Sequence, residues 1–351
     1  MKRLAFVLAA VAVVLPSAAR AAACSPLNCA ASQFSLANGT LLGFRTAADH
    51  PVTVVDLQTG KTKWVLPAGV TGGDLLVASS QDGLSLVWYD ASTGSKLSSV
   101  PLTRGGSLEG VSQTGTRAVV KRLTPGGTTF TIVSQNEQRD IAVPGGQWGF
   151  DALRGDNLFL IRYLKAGGYQ VRLAHVGSRR LAAAPLKDPH ESGTIWGSPF
   201  SRLSSPDGRY LFTLYIAQNG GAMIHALDLQ NAKARCIDLP GTGDYGASTS
   251  WALQLSKNAR TLWAVSPGYG RVVAIDVARR TVSSAFRISL PSWNLGSGTA
   301  SALSPDGNTI ALADNETVAK VDLTTRKISA RDPGKAIALG YAPDGRLWTL
   351  G

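Results

Sequence analysis

The sequence predicts an all-β protein, a β-propeller of seven four-stranded blades, with eight blades as the alternative. Three observations predict it. Ser-Pro-Asp-Gly followed by an apolar strand occurs at residues 205–208 and 304–307, with Ala-Pro-Asp-Gly at 342–345 as a close variant. A second signature, an apolar strand ending in Asp and then a polar turn, recurs between them, as in VTVVDLQTG ending at Gly60 and LVWYDASTG ending at Gly94. Composition is the third: 38 Gly, 44% hydrophobic and only 17% charged residues suit many turns around a large core. A helical protein would be richer in Glu, Lys and Leu.

The chain opens with Lys2 and Arg3, followed by an apolar run of about a dozen residues from Leu4 to Leu15, short of the ~20 that span a bilayer. Ala19-Arg20-Ala21 offers a small-x-small cleavage pattern. Residues 1–22 are therefore expected to be an export signal peptide, residues 23–33 a cysteine-bearing segment, and residues 34–351 the propeller. No second apolar run follows, so no transmembrane segment is expected, and the mature protein is placed outside the cell or at its envelope. Cys24 and Cys29, separated by Ser-Pro-Leu-Asn, are close enough to bridge around a turn, and an exported chain sits where disulfides persist. The rival reading is a lipid anchor on Cys24. It lacks the Leu usual three residues before such a Cys, where Ala21 stands. Cys236, in the strand-like ARCIDLP, reads as a buried free thiol, with no Cys or His nearby in sequence to make a zinc site.

The repeat sets the order of elements. In the turn, Pro fixes φ at the second position, Asp suits the third and Gly closes the reversal. Degenerate copies precede the clear ones: LANGTLLGF from Leu36, VTGGDLLVAS from Val70, VSQTGTRAVV from Val111, ALRGDNLFLI from Ala152 and LSKNARTLWAV from Leu255. The spacings are roughly 34 to 52 residues. The second signature returns in HALDLQN, VVAIDVARR and AKVDLTTRK, while the third and fourth units have lost its Asp. One unit is thus strand, turn, strand, loop, strand, turn, strand, which is the size of a propeller blade. Loose alternation, with apolar residues on both faces, fits blades packed between neighbours. A final hairpin, residues 336–351, is expected to dock on the N-terminal strands and close the ring without a free edge.

This pattern resembles the exported bacterial propeller repeats of the WD40-like, YVTN-like and TolB-like kind, over residues 34–351. The CSPLNC cysteine pair and the HALDL…CIDLP stretch at residues 225–240 are similar to those of a group of secreted actinobacterial WD40-like proteins. The resemblance implies a fold and an exported setting, and no particular activity.

Charge narrows the partners. The formal net charge is +12, and removing Lys2, Arg3 and Arg20 leaves 32 basic against 23 acidic residues, about +9. Anionic polymers of the envelope suit that balance. Nucleic acid does not, because the basic residues are dispersed in runs no longer than two.

Long loops on a rigid scaffold are where binding concentrates. Three inter-blade connections are long: residues 187–200 (KDPHESGTIWGSPF), 240–251 (PGTGDYGASTSW) and 289–299 (SLPSWNLGSGT). They follow blades four, five and six, so they are expected to be neighbours on the rim opposite the tight turns. They bring His190, Glu191, Trp196, Asp244, Tyr245, Trp251 and Trp293, with Trp148 before blade four as a further candidate. Aromatics among a few polar groups suit stacking on sugars or clasping a peptide; the same rings would otherwise plug gaps between blades.

Catalytic signals are weak. His50, His175, His190 and His225 are dispersed, and neighbours such as His190 and Glu191 need not point together. No G-x-S-x-G elbow, EF-hand loop or CxxCH haem site is present. The sequence points to no cofactor and no metal. The expected function is an exported, non-enzymatic, monomeric scaffold that binds a protein, peptide or glycan of the envelope. The alternative is a propeller enzyme acting on a small molecule, lactonase-like or quinoprotein-like, with acids or His converging at the channel.

Overall fold

The structure is a computed structural model and describes residues 32–350, apart from 48, 166–167, 192, 218, 291–292, 294–298, 315 and 334–335. The expected signal peptide, the Cys24–Cys29 pair and the possible lipidation site lie outside the described residues. Cys236 is the free cysteine among the described residues, and it is half-buried.

Local chemistry makes the repeating unit. In the turn at 205–208, the Ser205 hydroxyl donates to Asp207 (2.6 Å) and accepts from the Tyr210 N–H (2.8 Å), while Asp207 accepts from the Arg209 N–H (3.0 Å). The turn at 304–307 repeats all three bonds, at 2.5, 2.9 and 3.0 Å. In the second signature Asp56 accepts from the Gln58 and Thr59 N–H groups, at 2.8 and 3.0 Å, and the chain leaves through Gly60 at φ +70°. Each Asp is therefore spent on its own backbone, and the reversal it fixes sets the register of the next strand pair.

Seven four-stranded antiparallel sheets result, each in strand order first to fourth. The blades comprise residues 32–66, 70–101, 107–144, 148–181, 198–239, 252–287 and 300–333. Their first strands stand side by side around the axis. The first-to-second and third-to-fourth turns share one end, here the turn rim. The second-to-third loops and the blade-to-blade connections share the other, the loop rim. The central strands are buried on both faces, and Tyr210–Ile216 is buried at every position. Apolar clusters fill the seams between blades, for example Phe212, Leu214, Ile224, Trp251, Leu262 and Val273 between blades five and six.

The closing hairpin pairs Ala338–Tyr341 with Leu347–Leu350 and forms a sheet of its own between blades seven and one. It closes the ring through side chains, without extending the ladder of blade one. The Gln33 amide accepts from the Leu339 N–H (2.9 Å) and donates toward the Leu339 carbonyl (3.2 Å), mimicking a strand partner. On the turn rim Trp348 donates to the Leu57 carbonyl (2.6 Å), its ring so close over Gly60 that a Cβ there would lie 2.5 Å from it. Blade one repeats the arrangement toward blade two: Trp64 donates to the Ala91 carbonyl (3.1 Å) over Gly94.

Candidate functional site

The connection after blade four does not leave its blade at once. The fourth strand is only Arg180–Leu181, but Leu186 then pairs with Val171 and Ile195 with Tyr169, so the chain keeps running along the third strand. Between those bridges it makes an excursion to the outer edge of blade five. There Asp188, 4% exposed, accepts from the Cys236 N–H (2.9 Å), lies 3.5 Å from Arg235 Nε and accepts from the His190 N–H (3.0 Å). Burial raises Asp188, but the His190 and Cys236 N–H groups and the Arg235 charge outweigh it and hold the carboxyl below its ordinary range. An open strand edge is thereby capped. His190 and Glu191 consequently sit exposed at the perimeter, where the Glu191 charge is felt by Cys236. They do not overlook the channel. Burial and the Glu191 and Asp188 charges push the Cys236 thiol up to about 12, so it is inert near neutrality.

Trp196 and the Asp244–Tyr245 pair lie elsewhere on the loop rim, on two sides of one blade-five loop. A Cβ on Gly197 would lie 2.7 Å from the Ile216 carbonyl oxygen, and one on Gly220 would lie 2.6 Å from the Asp244 nitrogen. Asp244 caps a single helical turn, Tyr245–Ser248, by accepting from the Ala247 N–H (2.9 Å). The Tyr269 hydroxyl reaches the Gly220 and Asp244 carbonyls, both at 2.8 Å. Ser250 joins Ser266 (2.8 Å) and accepts from the Gly268 N–H (2.9 Å). This connection is therefore knitted to the neighbouring loops of blades five and six. Trp196 at 56% and Tyr245 at 51% remain the two strongly exposed aromatics of the three connections among the described residues.

The other candidates turn inward. Trp148 and Trp251 are 2% and 1% exposed and belong to the seams between blades three and four and between five and six. Trp148 donates to the Pro144 carbonyl (3.2 Å) and carries the Arg162 and Arg172 guanidiniums over its ring, at 5.6 and 5.8 Å. Trp293 is half-buried against the seam of blades six and seven, and much of the connection around it lies outside the described residues.

Sequence reasoning missed a buried polar row in the seam of blades four and five. Asp151, at a bulge in the inner strand Trp148–Arg154, is 1% exposed and paired with Arg202, which also donates to the Asp151 carbonyl (2.6 Å). Arg202, Thr213, His225 and Cys236 are register partners across blade five. Tyr169 and Tyr215 complete the group, with ring centroids 5.2 Å apart and His225 6.2 Å from Tyr215. Asp151 Oδ2, Ser201 Oγ, Arg202 Nε, His225 Nδ1 and both tyrosine hydroxyls have no partner in hydrogen-bonding geometry among the described residues. Burial lowers His225 to about 4, so it is neutral at physiological pH, and raises Tyr215 well above its ordinary value. The only local signal was a charged residue inside each of two apolar strands, WGFDALR and SPFSRLS.

A cleft of about 520 Å³ opens on the turn rim between blades one and two, lined by Asp56, Gln58, Lys63, Trp64, Thr93 and Pro343 among others, away from the predicted loops. Among the described residues no group of three or more His, Cys, Asp or Glu is arranged to hold a metal, and no helix is long and apolar enough to cross a membrane.

No sequence-family model matches the chain, and no curated protein matches it. Solved structures do. Two structures of AztD from Citrobacter koseri, one in the apo form, are each 17% identical. They align over 87% of this chain and 87% and 88% of their own, with TM-scores of 0.53 and 0.54. At that identity the likeness establishes the propeller fold alone.

Proposed function

We propose that the protein is an exported, non-catalytic binding scaffold that recognises a protein, peptide or glycan of the cell envelope through its loop rim over blades four to six. One observation carries this reading. Trp196 and Tyr245 stand exposed on the two sides of a single blade-five loop, each on its own connection, and hydrogen bonds hold the Tyr245 connection to that loop and to Tyr269. Exposed aromatics on a preorganised base bind at low entropic cost. Asp244 and the nearby backbone supply polar contacts at the rim. Export rests on the leader-like residues 1–22 and on the resemblance to secreted propeller repeats. His190 and Glu191, at the perimeter, extend the surface outward instead of forming an acid–base pair.

The test is direct. The mature protein is screened against envelope glycans and peptides, and the Trp196→Ala/Tyr245→Ala variant is compared with the parent. Loss of binding with an unchanged Tm is expected. No ligand for the parent, or a variant that binds equally well, overturns the reading. Mass spectrometry of the culture medium checks export, with an N-terminus near Ala22 or Ala23 and a mass two hydrogens lighter for one disulfide.

A further inference from the structure

The large apolar side chains that the ring leaves in solvent are not spread evenly. Nine stand exposed among the described residues, and five of them occupy the loop rim of blades two to five. Leu84, Leu123 and Tyr163, at 57%, 55% and 48%, lie at the second-to-third loops of three successive blades. Trp196 and Tyr245 continue the arc. Of the other four, Val65, Leu97 and Val282 lie on outer strands, and Ile337 precedes the closing hairpin. None of the nine lies in a tight turn of the turn rim. One exposed apolar side chain is ordinary, but one on each of three consecutive loops gives a face with a common direction.

Charge divides this arc. Beside the loops of blades two to four, Arg104, Arg162 and Lys165 have no carboxylate partner among the described residues, and Arg104 and Lys165 are fully exposed in class while Arg162 is half-buried over the Trp148 ring. The neighbouring Lys121 and Arg122 are paired, with Glu109 (2.8 Å) and Asp140 (3.6 Å). The one acid in these loops is Asp82, which accepts from the Ser80 hydroxyl (2.5 Å) and the Leu84 N–H (2.9 Å). At the far end of the arc the balance reverses. There Lys187 stands against Glu191 and Asp244, all three exposed.

We propose that the loop tips of blades two to four dock the protein on the surface of an anionic lipid bilayer. The loops are convex and stand clear of the body: a Cβ added at Gly105, Gly126, Gly145 or Gly146 would meet nothing within 4 Å. A protein partner needs a contiguous apolar core inside a polar rim, and these tips are separate protrusions between polar, Gly-rich segments. A fluid bilayer closes around each of them. Leucines enter the acyl boundary, a tyrosine sits at headgroup level, and the cations meet anionic headgroups. The 520 Å³ cleft opens on the opposite rim, so docking leaves it free. The Trp196–Tyr245 site lies at the acidic end of the arc and stands independently of this surface.

The experiment sediments the mature protein with sucrose-loaded vesicles of phosphatidylglycerol and phosphatidylcholine in equal parts. Leu84→Ser/Leu123→Ser/Tyr163→Ser is expected to weaken the apparent Kd about tenfold. Its Tm is expected to be unchanged, because all three side chains are exposed. Arg104→Gln/Lys165→Gln is expected to weaken it about threefold at low ionic strength, with the gap closing as salt rises. Val65→Ser/Leu97→Ser removes two comparably exposed apolar side chains from outer strands and is expected to sediment with the parent. Trp196→Ala/Tyr245→Ala is expected to lose the ligand of the loop-rim site and still sediment, so failure of that site and failure of the lipid surface are told apart. A parent that stays in the supernatant overturns the proposal. So does parental sedimentation of the triple variant, or a loss in the outer-strand variant equal to that in the triple one. A parent that ignores vesicles yet binds a peptide through Leu84, Leu123 and Tyr163 overturns it as well.

Discussion

The seam between blades four and five and the seam between the closing hairpin and blade one both rest on apolar packing, but only the first adds a buried charge pair to it. The first buries an Arg202–Asp151 pair with tyrosines and a histidine around it. The second packs Leu42, Leu57 and Ala338 and lays Trp348 over Gly60. Apolar packing is tolerant of small shifts, whereas a buried charge pair depends on both partners staying in place. The polar seam should therefore be the fragile one, and the apolar seam the graded one.

Breaking the charge pair gives the largest expected effect. Arg202→Ala leaves Asp151 buried and unpaired, and the expected loss is about 3–5 kcal/mol by thermal or denaturant unfolding. Arg202→Met/Asp151→Leu, which removes both charges, should recover most of it. A double variant as unstable as the single one would mean that the pair supplies net stability instead of merely requiring completeness.

Acid should open the same seam. His225 is lowered to about 4 by burial, against an ordinary value near 6.5. The unfolded chain binds the proton more readily, so the contribution is fully present above about pH 6.5, is lost as pH falls toward 4 and is constant below that. The slope is about 1.4 kcal/mol per pH unit within the window. His225→Phe, if it folds, should flatten the stability profile between pH 4 and 6.5. A parental slope in that variant would assign the acid sensitivity to other groups.

The apolar seam should respond less. Trp348→Ala removes a half-buried ring and its bond to Leu57, for an expected loss of about 2 kcal/mol. Gly60→Ala tests the same contact from below, because a Cβ there would meet the ring.

The contrast between the seams also explains what the sequence could reveal. The turn at 304–307 is legible because Ser304, Asp306 and Gly307 act on backbone within five residues. Blade count and strand order follow from repeating it. Asp151 and Arg202 are far apart in the chain, and nothing within either strand marks the other as partner. Trp148 and Trp251 illustrate the limit at the candidate site. Each stands where a connection enters an inner strand, and sequence does not say whether such a ring turns into the seam or out to solvent. Trp196 is in a similar place and turns out. The excursion that carries His190 and Glu191 to the perimeter is governed by Asp188 reaching the edge of another blade, a contact across 48 positions.

The smallest effects sharpen the comparison most, because one chemical change can be made in two places. Tyr215→Phe removes a buried hydroxyl that has no partner in hydrogen-bonding geometry among the described residues, the Tyr169 hydroxyl being near but poorly placed. Tyr269→Phe removes one that lies 2.8 Å from two carbonyls under the loop rim. Losing a satisfied hydroxyl strands its acceptors and should cost about 1 kcal/mol, while losing an unsatisfied one should be neutral or stabilising by up to ~1 kcal/mol. Opposite signs in equilibrium unfolding are the expected outcome. A cost at Tyr215 equal to that at Tyr269 would mean that water occupies the seam of blades four and five and satisfies its hydroxyls, so that the polar seam is as complete as the apolar one.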